Sequence, residues 1–230
     1  MRTIHIAGDS TASIKDMSAR PETGWGEAFG NFFQPAIQIN NHAKNGRSSK
    51  SFIEEGRLAR LKKEFQTGDF LLIQFGHNDQ KITEAKGTEP FGSYLDALST
   101  YAQTALASHV QPIFLTPVTR RLYLKNGQLD PNCLGEYPQA MKRFAQKNNY
   151  PILDVFTRSQ TTLQQYTQEE AKSFYLHLSP GRHENYPSGL CDNTHFSPEG
   201  AALVAQLVVE LLKEIDLPLV QYLDVPHKMK

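Results

Sequence analysis

Ser10, Asp192 and His195 are of the residue types that carry acyl transfer, and all three stand in short polar segments. Ser10 lies in Gly8-Asp9-Ser10-Thr11, while Asp192-Asn193-Thr194-His195 sets an acid and an imidazole in one tetrapeptide just before the last predicted helix. A serine hydroxyl is a weak nucleophile until a base takes its proton. A neutral imidazole is such a base near pH 7, and a carboxylate on its other nitrogen fixes the tautomer and steadies the imidazolium. Two further segments, Asn45-Gly46-Arg47-Ser48 and Gly76-His77-Asn78-Asp79, add hydrogen-bond donors for an oxyanion. Gly46 has no side chain to shield its N–H, and Asn78 carries an amide. Each tetrapeptide alone reads as an ordinary polar turn. Taken together they equip an acyl-transfer hydrolase.

These segments need a scaffold to converge. Short apolar runs predict strands over Thr3–Ala7, Ala36–Asn40, Asp69–Phe75, Pro112–Thr116 and Pro151–Asp154. The unbroken apolar run Phe70-Leu71-Leu72-Ile73 suits a strand covered on both faces. Helices are predicted around 25–33, 51–65, 91–108, 135–148 and 198–214, with Ser51 capping the second and Ser197 and Pro198 opening the last. Segment 156–190 mixes helical stretches with the turn signals Ser179-Pro180-Gly181 and Tyr186-Pro187-Ser188-Gly189 and is read as a substrate-side excursion. Strand and helix alternating five times predict a three-layer α/β/α sandwich on a five-stranded parallel sheet, residues 1–230 forming one catalytic domain. Ligands of such sheets bind beyond the carboxyl ends of the strands, where the strand order reverses. If the first strand lies between the second and third, Ser10, Gly46 and Asn78 become neighbours.

The same blocks resemble those of the SGNH hydrolases, the GDSL-type esterases, and more narrowly their rhamnogalacturonan acetylesterase branch. The likeness runs nearly end to end: Gly8-Asp9-Ser10-Thr11, Gly24-Trp25-Gly26, Asn45-Gly46-Arg47-Ser48-Ser49, Phe75-Gly76-His77-Asn78-Asp79, Thr116-Pro117-Val118-Thr119-Arg120-Arg121 and Asp192-Asn193-Thr194-His195-Phe196. Thr11 stands where the family's name expects leucine. The resemblance implies a flavodoxin-like fold with Ser10 as nucleophile, His195 as base and Asp192 as its partner. It also implies an oxyanion hole from the N–H groups of Ser10 and Gly46 and the Asn78 amide. The implied substrate is an acetylated sugar of pectic, rhamnogalacturonan type, with no metal or organic cofactor. Asp9, His77 and Asp79 are read as braces of their loops, and Trp25 as packing rather than a sugar platform. Arg47, Arg120, Arg121 and Arg182 are candidates to meet a uronic carboxylate, since arginine pairs well with that group.

Bulk properties narrow the field further. Of the 230 residues 39% are hydrophobic and 21% charged, and 24 Lys plus Arg balance 24 Asp plus Glu. Such a balance gives no field to draw in nucleic acid. Cys133 and Cys191 lie far apart without a CxxC pattern and are read as two packed thiols. The segment Ala201–Ile215 is broken by Gln206, Glu210, Lys213 and Glu214, so no membrane span is expected. Met1 runs almost directly into the first strand, which predicts a cytoplasmic enzyme acting on an imported acetylated oligosaccharide. No Gly-x-Ser-x-Gly elbow, Walker loop, dinucleotide glycine fingerprint or HExxH occurs. The rivals are a lipid esterase or thioesterase using the same residues, which would favour long acyl chains, and a non-catalytic carbohydrate-binding relative, which would show no turnover.

Overall fold

Five strands form one parallel sheet in the order β2-β1-β3-β4-β5. They are β1 (Arg2–Gly8), β2 (Ile37–Asn41), β3 (Phe70–Gln74), β4 (Gln111–Leu115) and β5 (Ile152–Leu153). The computed structural model describes residues 1–224. Register is continuous across the centre, with Ile6 opposite Asn41 on one side and Leu72 on the other. β3 is buried at every position, as its unbroken apolar run requires. On one face lie α2 (Ser49–Glu54), α3 (Arg57–Lys62), α4 (Ser93–Leu106) and α5 (Tyr137–Lys147), packed through Phe52, Leu61, Tyr101 and Met141 onto Leu71 and Ile73. On the other lie α1 (Trp25–Phe29), α6 (Val155–Leu163) and α7 (Pro198–Lys213), closing over Ile4, Ile6 and Leu72. The layers are those expected. β1 lies between β2 and β3, so the strand order reverses beside the loop that carries Ser10.

Two details differ from expectation. The helix predicted over 51–65 is two helices, because Gly56 takes a left-handed φ of 69° between α2 and α3. Its cap is Ser48, not Ser51. Ser48 Oγ accepts the Ser51 N–H at 3.0 Å while Ser51 Oγ accepts the Ser48 N–H at 2.9 Å, a reciprocal box. α7 begins as expected, with Ser197 Oγ accepting the Gly200 N–H at 3.1 Å and Pro198 in its first turn.

The larger difference lies in 156–190. Its first part is α6, but Tyr175–Leu178 forms β6, which pairs antiparallel with β7 (Leu190–Phe196) as a separate two-stranded sheet. Asp192 and His195 thus sit within a strand, where a free turn was expected. The excursion between these strands folds back on the chain after Ser10, Asn185 Nδ2 donating to the Met17 and Arg20 carbonyls at 2.8 Å each. Both cysteines are free: Cys133 is buried, whereas Cys191 is exposed rather than packed. Among the described residues, no helix is long and apolar enough to cross a membrane.

Candidate active site

The loop after β1 is fixed from several directions. Asp9 Oδ1 accepts the Thr11 N–H at 2.9 Å and its hydroxyl at 2.8 Å, a tight local turn. The Gln74 side chain, buried at the end of β3, receives the Trp25 indole N–H at 2.7 Å and the Thr11 hydroxyl at 3.2 Å. Trp25 is fully buried, in keeping with a packing role. Glycines on either side of it let the backbone close up, since a Cβ at Gly24 would lie 2.1 Å from the Ser13 carbonyl oxygen. Beneath the loop, the buried Lys15 ammonium donates to the Ser10 carbonyl, to Ser13 Oγ at 2.9 Å and to Asn45 Oδ1 at 2.8 Å, and pairs with Glu22 at 2.7 Å. Burial pulls its pKa down, against the pull of Glu22.

Ser10, His195 and Asp192 form one hydrogen-bonded chain. Ser10 Oγ lies 2.9 Å from His195 Nε2, and His195 Nδ1 lies 2.7 Å from Asp192 Oδ2. The strand makes this possible through a bulge. β6 and β7 pair at His177–Cys191 and again at Tyr175–Phe196, so residues 192–195 must arch over the single residue Leu176. Bulges of this kind re-aim side chains. Asp192 Oδ1 secures the arch by accepting the N–H groups of Thr194 at 2.7 Å and His195 at 3.0 Å. Burial opposes the Asp192 charge, but the His195 ring, these two N–H bonds and the imidazole's field outweigh it and hold the pKa at about 2. The acid therefore stays ionised well below the ordinary carboxylate range. Its outer end remains open to solvent, His195 being 30% and Asp192 25% exposed.

The other two loops are laced to this one. The Lys44 N–H donates to the Gly8 carbonyl at 3.0 Å, and Gly46 takes a left-handed φ of 77°. The Asn78 amide donates to the Arg47 carbonyl at 3.0 Å, which leaves its second N–H to give. Among the described residues, no protein acceptor takes the Ser10 or Gly46 N–H. Asp79, fully buried, accepts the Ser49 N–H at 3.1 Å and the Thr88 hydroxyl at 3.1 Å, tying the third loop to α2. Burial drives its pKa up to about 6 despite the Ser49 and Thr88 bonds. His77 lies 3.4 Å from Asp9 Oδ2 with no hydrogen bond to its ring, and burial pushes its pKa down against that carboxylate.

The four arginines divide by burial. Arg121 is buried, donating to Asn193 Oδ1 at 2.9 Å and to the Gln168 carbonyl, with its guanidinium 5.2 Å above the Tyr123 ring. Arg120, partly buried, donates to Thr194 Oγ1 and to the His77 carbonyl at 3.4 Å, binding the third loop to the arch. Arg47, beside Gly46, pairs with Glu55 at 3.0 Å on the surface, and Arg182 is exposed in the excursion. Sequence reasoning missed Lys15, Asn193 and Gln74. Only Glu22, a carboxylate seven positions past Lys15, hinted that this lysine has a partner. Lysines are almost never fully buried unless paired.

A serine, an imidazole and a carboxylate in line, beside unclaimed N–H donors at the strand-order reversal of a parallel sheet, are the equipment of a hydrolase of the acyl-transfer class. The chain belongs to the GDSL-like lipase/acylhydrolase family, matched over residues 4–208. It is 42% identical over 220 residues to the rhamnogalacturonan acetylesterase RhgT of Bacillus subtilis, covering 96% of this chain and 93% of that protein. It is 34% identical to YesY of the same organism, a probable rhamnogalacturonan acetylesterase, covering 95% of each. Among solved structures, YxiM of Bacillus subtilis superposes with a TM-score of 0.78 at 22% identity, over 93% of this chain and 56% of that longer one. A catalytic mutant of Axe2, an acetylxylan esterase from Geobacillus stearothermophilus, gives 0.63 at 15% identity, over 92% of this chain and 94% of that one.

Proposed function

We propose that the protein is a serine carbohydrate esterase that removes O-acetyl groups from pectic, rhamnogalacturonan-type oligosaccharides through an acetyl-enzyme. The observation that carries this reading is the unbroken Ser10–His195–Asp192 chain at 2.9 and 2.7 Å. The likeness to the rhamnogalacturonan acetylesterase RhgT, and to YesY, a probable one, over nearly the whole chain supports the substrate class.

In the first step Ser10 Oγ attacks the acetyl carbonyl carbon while His195 Nε2 takes its proton. The oxyanion is received by the N–H groups of Ser10 and Gly46 and by the free N–H of Asn78. One such donor typically contributes about 2.7–4 kcal/mol in the transition state. As the tetrahedral intermediate collapses, the sugar oxygen leaves and takes the proton from His195. Water then attacks the acetyl-serine, giving its proton to the same imidazole, which returns it to Ser10 as acetate departs. Asp192, ionised throughout, stabilises each imidazolium. Arg182, exposed, and Arg47, half-buried beside Gly46, are assigned the uronic carboxylate, Arg47 exchanging its surface partner Glu55 for the substrate. Arg120 and Arg121 are assigned to bracing the arch.

The test is acetate release from a panel of acetylated rhamnogalacturonan oligosaccharides, acetylated xylan and 4-nitrophenyl esters of increasing chain length. Acetylated pectic oligosaccharides are expected to be turned over best, acetate to be the preferred acyl group, and Ser10→Ala to abolish turnover with the fold intact. Retained activity in Ser10→Ala, or preference for long acyl chains, would overturn the reading.

A further inference from the structure

Away from the ester site, two imidazoles and a carboxylate converge at the edge of the sheet. His5 lies on β1, His42 just after β2 and Glu64 just after α3. A nitrogen of each histidine and a Glu64 oxygen lie within 4.8 Å of one another. The two rings stand 5.7 Å apart and are tilted by only 31°. His42 Nε2 faces Glu64 Oε2 at 3.3 Å, and Asn40 Nδ2 donates to the same oxygen at 3.3 Å.

His5 itself is the second, independent observation. It is 1% exposed, and its Nδ1 has no hydrogen-bond partner. Its Nε2 is held by Asp69 Oδ2 at 3.2 Å, and Asp69 is in turn fixed by the Thr3 N–H at 2.8 Å and the Gln66 N–H at 2.9 Å. An imidazole whose Nε2–H is given to a carboxylate keeps its lone pair on Nδ1. A buried lone pair without a partner is costly in a protein interior. Metal-binding histidines nearly always carry such a carboxylate on the nitrogen that does not ligate, which fixes the tautomer and raises basicity.

We propose that His5, His42 and Glu64 bind a divalent transition metal of the zinc type, with Asp69 orienting His5. Two imidazoles and one carboxylate suit zinc, whereas calcium and magnesium prefer sites made of oxygen. Ligands drawn from positions 5, 42 and 64 would clasp β1 to the ends of its edge neighbour β2 and of α3. His5 lies three residues before the end of β1, roughly 10 Å of strand at about 3.3 Å per residue from the loop that carries Ser10, so the metal acts on stability and not on the ester.

The test is thermal unfolding of chelator-treated protein titrated with ZnCl2, beside MgCl2 and CaCl2. Zinc a hundredfold above its dissociation constant is expected to raise Tm by about 5–10 °C, magnesium and calcium not at all. His42→Ala and Glu64→Gln alter residues at the surface end of the cluster, so they should fold, and each is expected to lose most of the shift. His195→Ala separates this site from the imidazole and carboxylate near Ser10 and is expected to keep the shift in full. Absence of a zinc-specific shift, its survival in His42→Ala, or its loss in His195→Ala would overturn the proposal.

Discussion

Ser10 follows β1, an inner strand of a buried parallel sheet, whereas His195 hangs from a two-stranded antiparallel ribbon outside that sheet. Around Ser10 the restraints are deep and shared: Gln74 joins the loop to Trp25, and Lys15 joins it to Asn45 and Glu22. Around His195 they are local and polar. Asp192 closes the arch with two backbone N–H bonds, and Arg120 and Arg121 secure it through Thr194 and Asn193. A rigid alcohol thus faces an imidazole whose support comes mainly from hydrogen bonds near solvent. Packing sets the position of one reactant, and a small polar network sets the other.

The largest loss is expected at the imidazole. With His195→Ala, kcat on an acetyl ester is expected to fall by at least about 10⁴, since the base is lost outright. Asp192→Asn keeps an acceptor for the two backbone N–H groups but turns an amide N–H toward His195 Nδ1. That favours the wrong tautomer, and a fall of about 10²–10⁴ is expected with little change in KM. Steady-state kinetics of both variants decide the matter. Equal, small losses would mean that another group takes the Ser10 proton.

The contrast also explains what could be read from the chain. β1, β3 and the loops behind them were legible because a buried parallel strand is a short apolar run ending in a polar, glycine-bearing turn. The run Phe70-Leu71-Leu72-Ile73 before Gly76-His77-Asn78-Asp79 has that form. β7 was not legible: Leu190-Cys191-Asp192-Asn193-Thr194-His195-Phe196 has no alternation, because residues 192–195 bulge away from their partner strand. The split at Gly56 was similarly hidden, since the apolar residues on either side fit a single helix. Lys15 gave no signal beyond the nearby Glu22, because its burial depends on oxygens contributed by positions 10, 13, 22 and 45 together. Such a site exists only after folding.

On the serine side the support to remove is Lys15. Lys15→Met removes the donor to the Ser10 carbonyl and leaves Glu22 without its cation. Breaking a buried pair from one side typically costs about 3–5 kcal/mol of stability. A kcat fall of about 10–100-fold, roughly 1.4–2.8 kcal/mol, is expected as Ser10 and its N–H lose their position, with KM nearly unchanged. Adding Glu22→Gln is expected to restore much of the Tm and little of the kcat. If kcat returns together with Tm, Lys15 only stabilises the fold, and the serine side is less dependent on its undercarriage than the geometry implies.

The smallest effect belongs to Asp79, which braces the third loop without facing Ser10. Its folded pKa of about 6 exceeds the ordinary 3.8, so the native state holds this proton more firmly than the unfolded chain. The resulting stabilisation is complete below pH 3.8 and is lost as pH rises through about 6, a change on the order of 3 kcal/mol. Asp79→Asn is neutral at every pH and lacks that loss. The Tm of the variant minus that of the parent is therefore expected to climb between pH 4.5 and pH 7, while kcat at pH 7 stays within about threefold. Taking the difference cancels the titration of groups common to both proteins, the histidines included. A flat difference would show Asp79 charged throughout, with Ser49 and Thr88 outweighing its burial. The loop holding Asn78 would then be fastened by a buried ion, and the serine side would depend on charge much as the arch at Asp192 does.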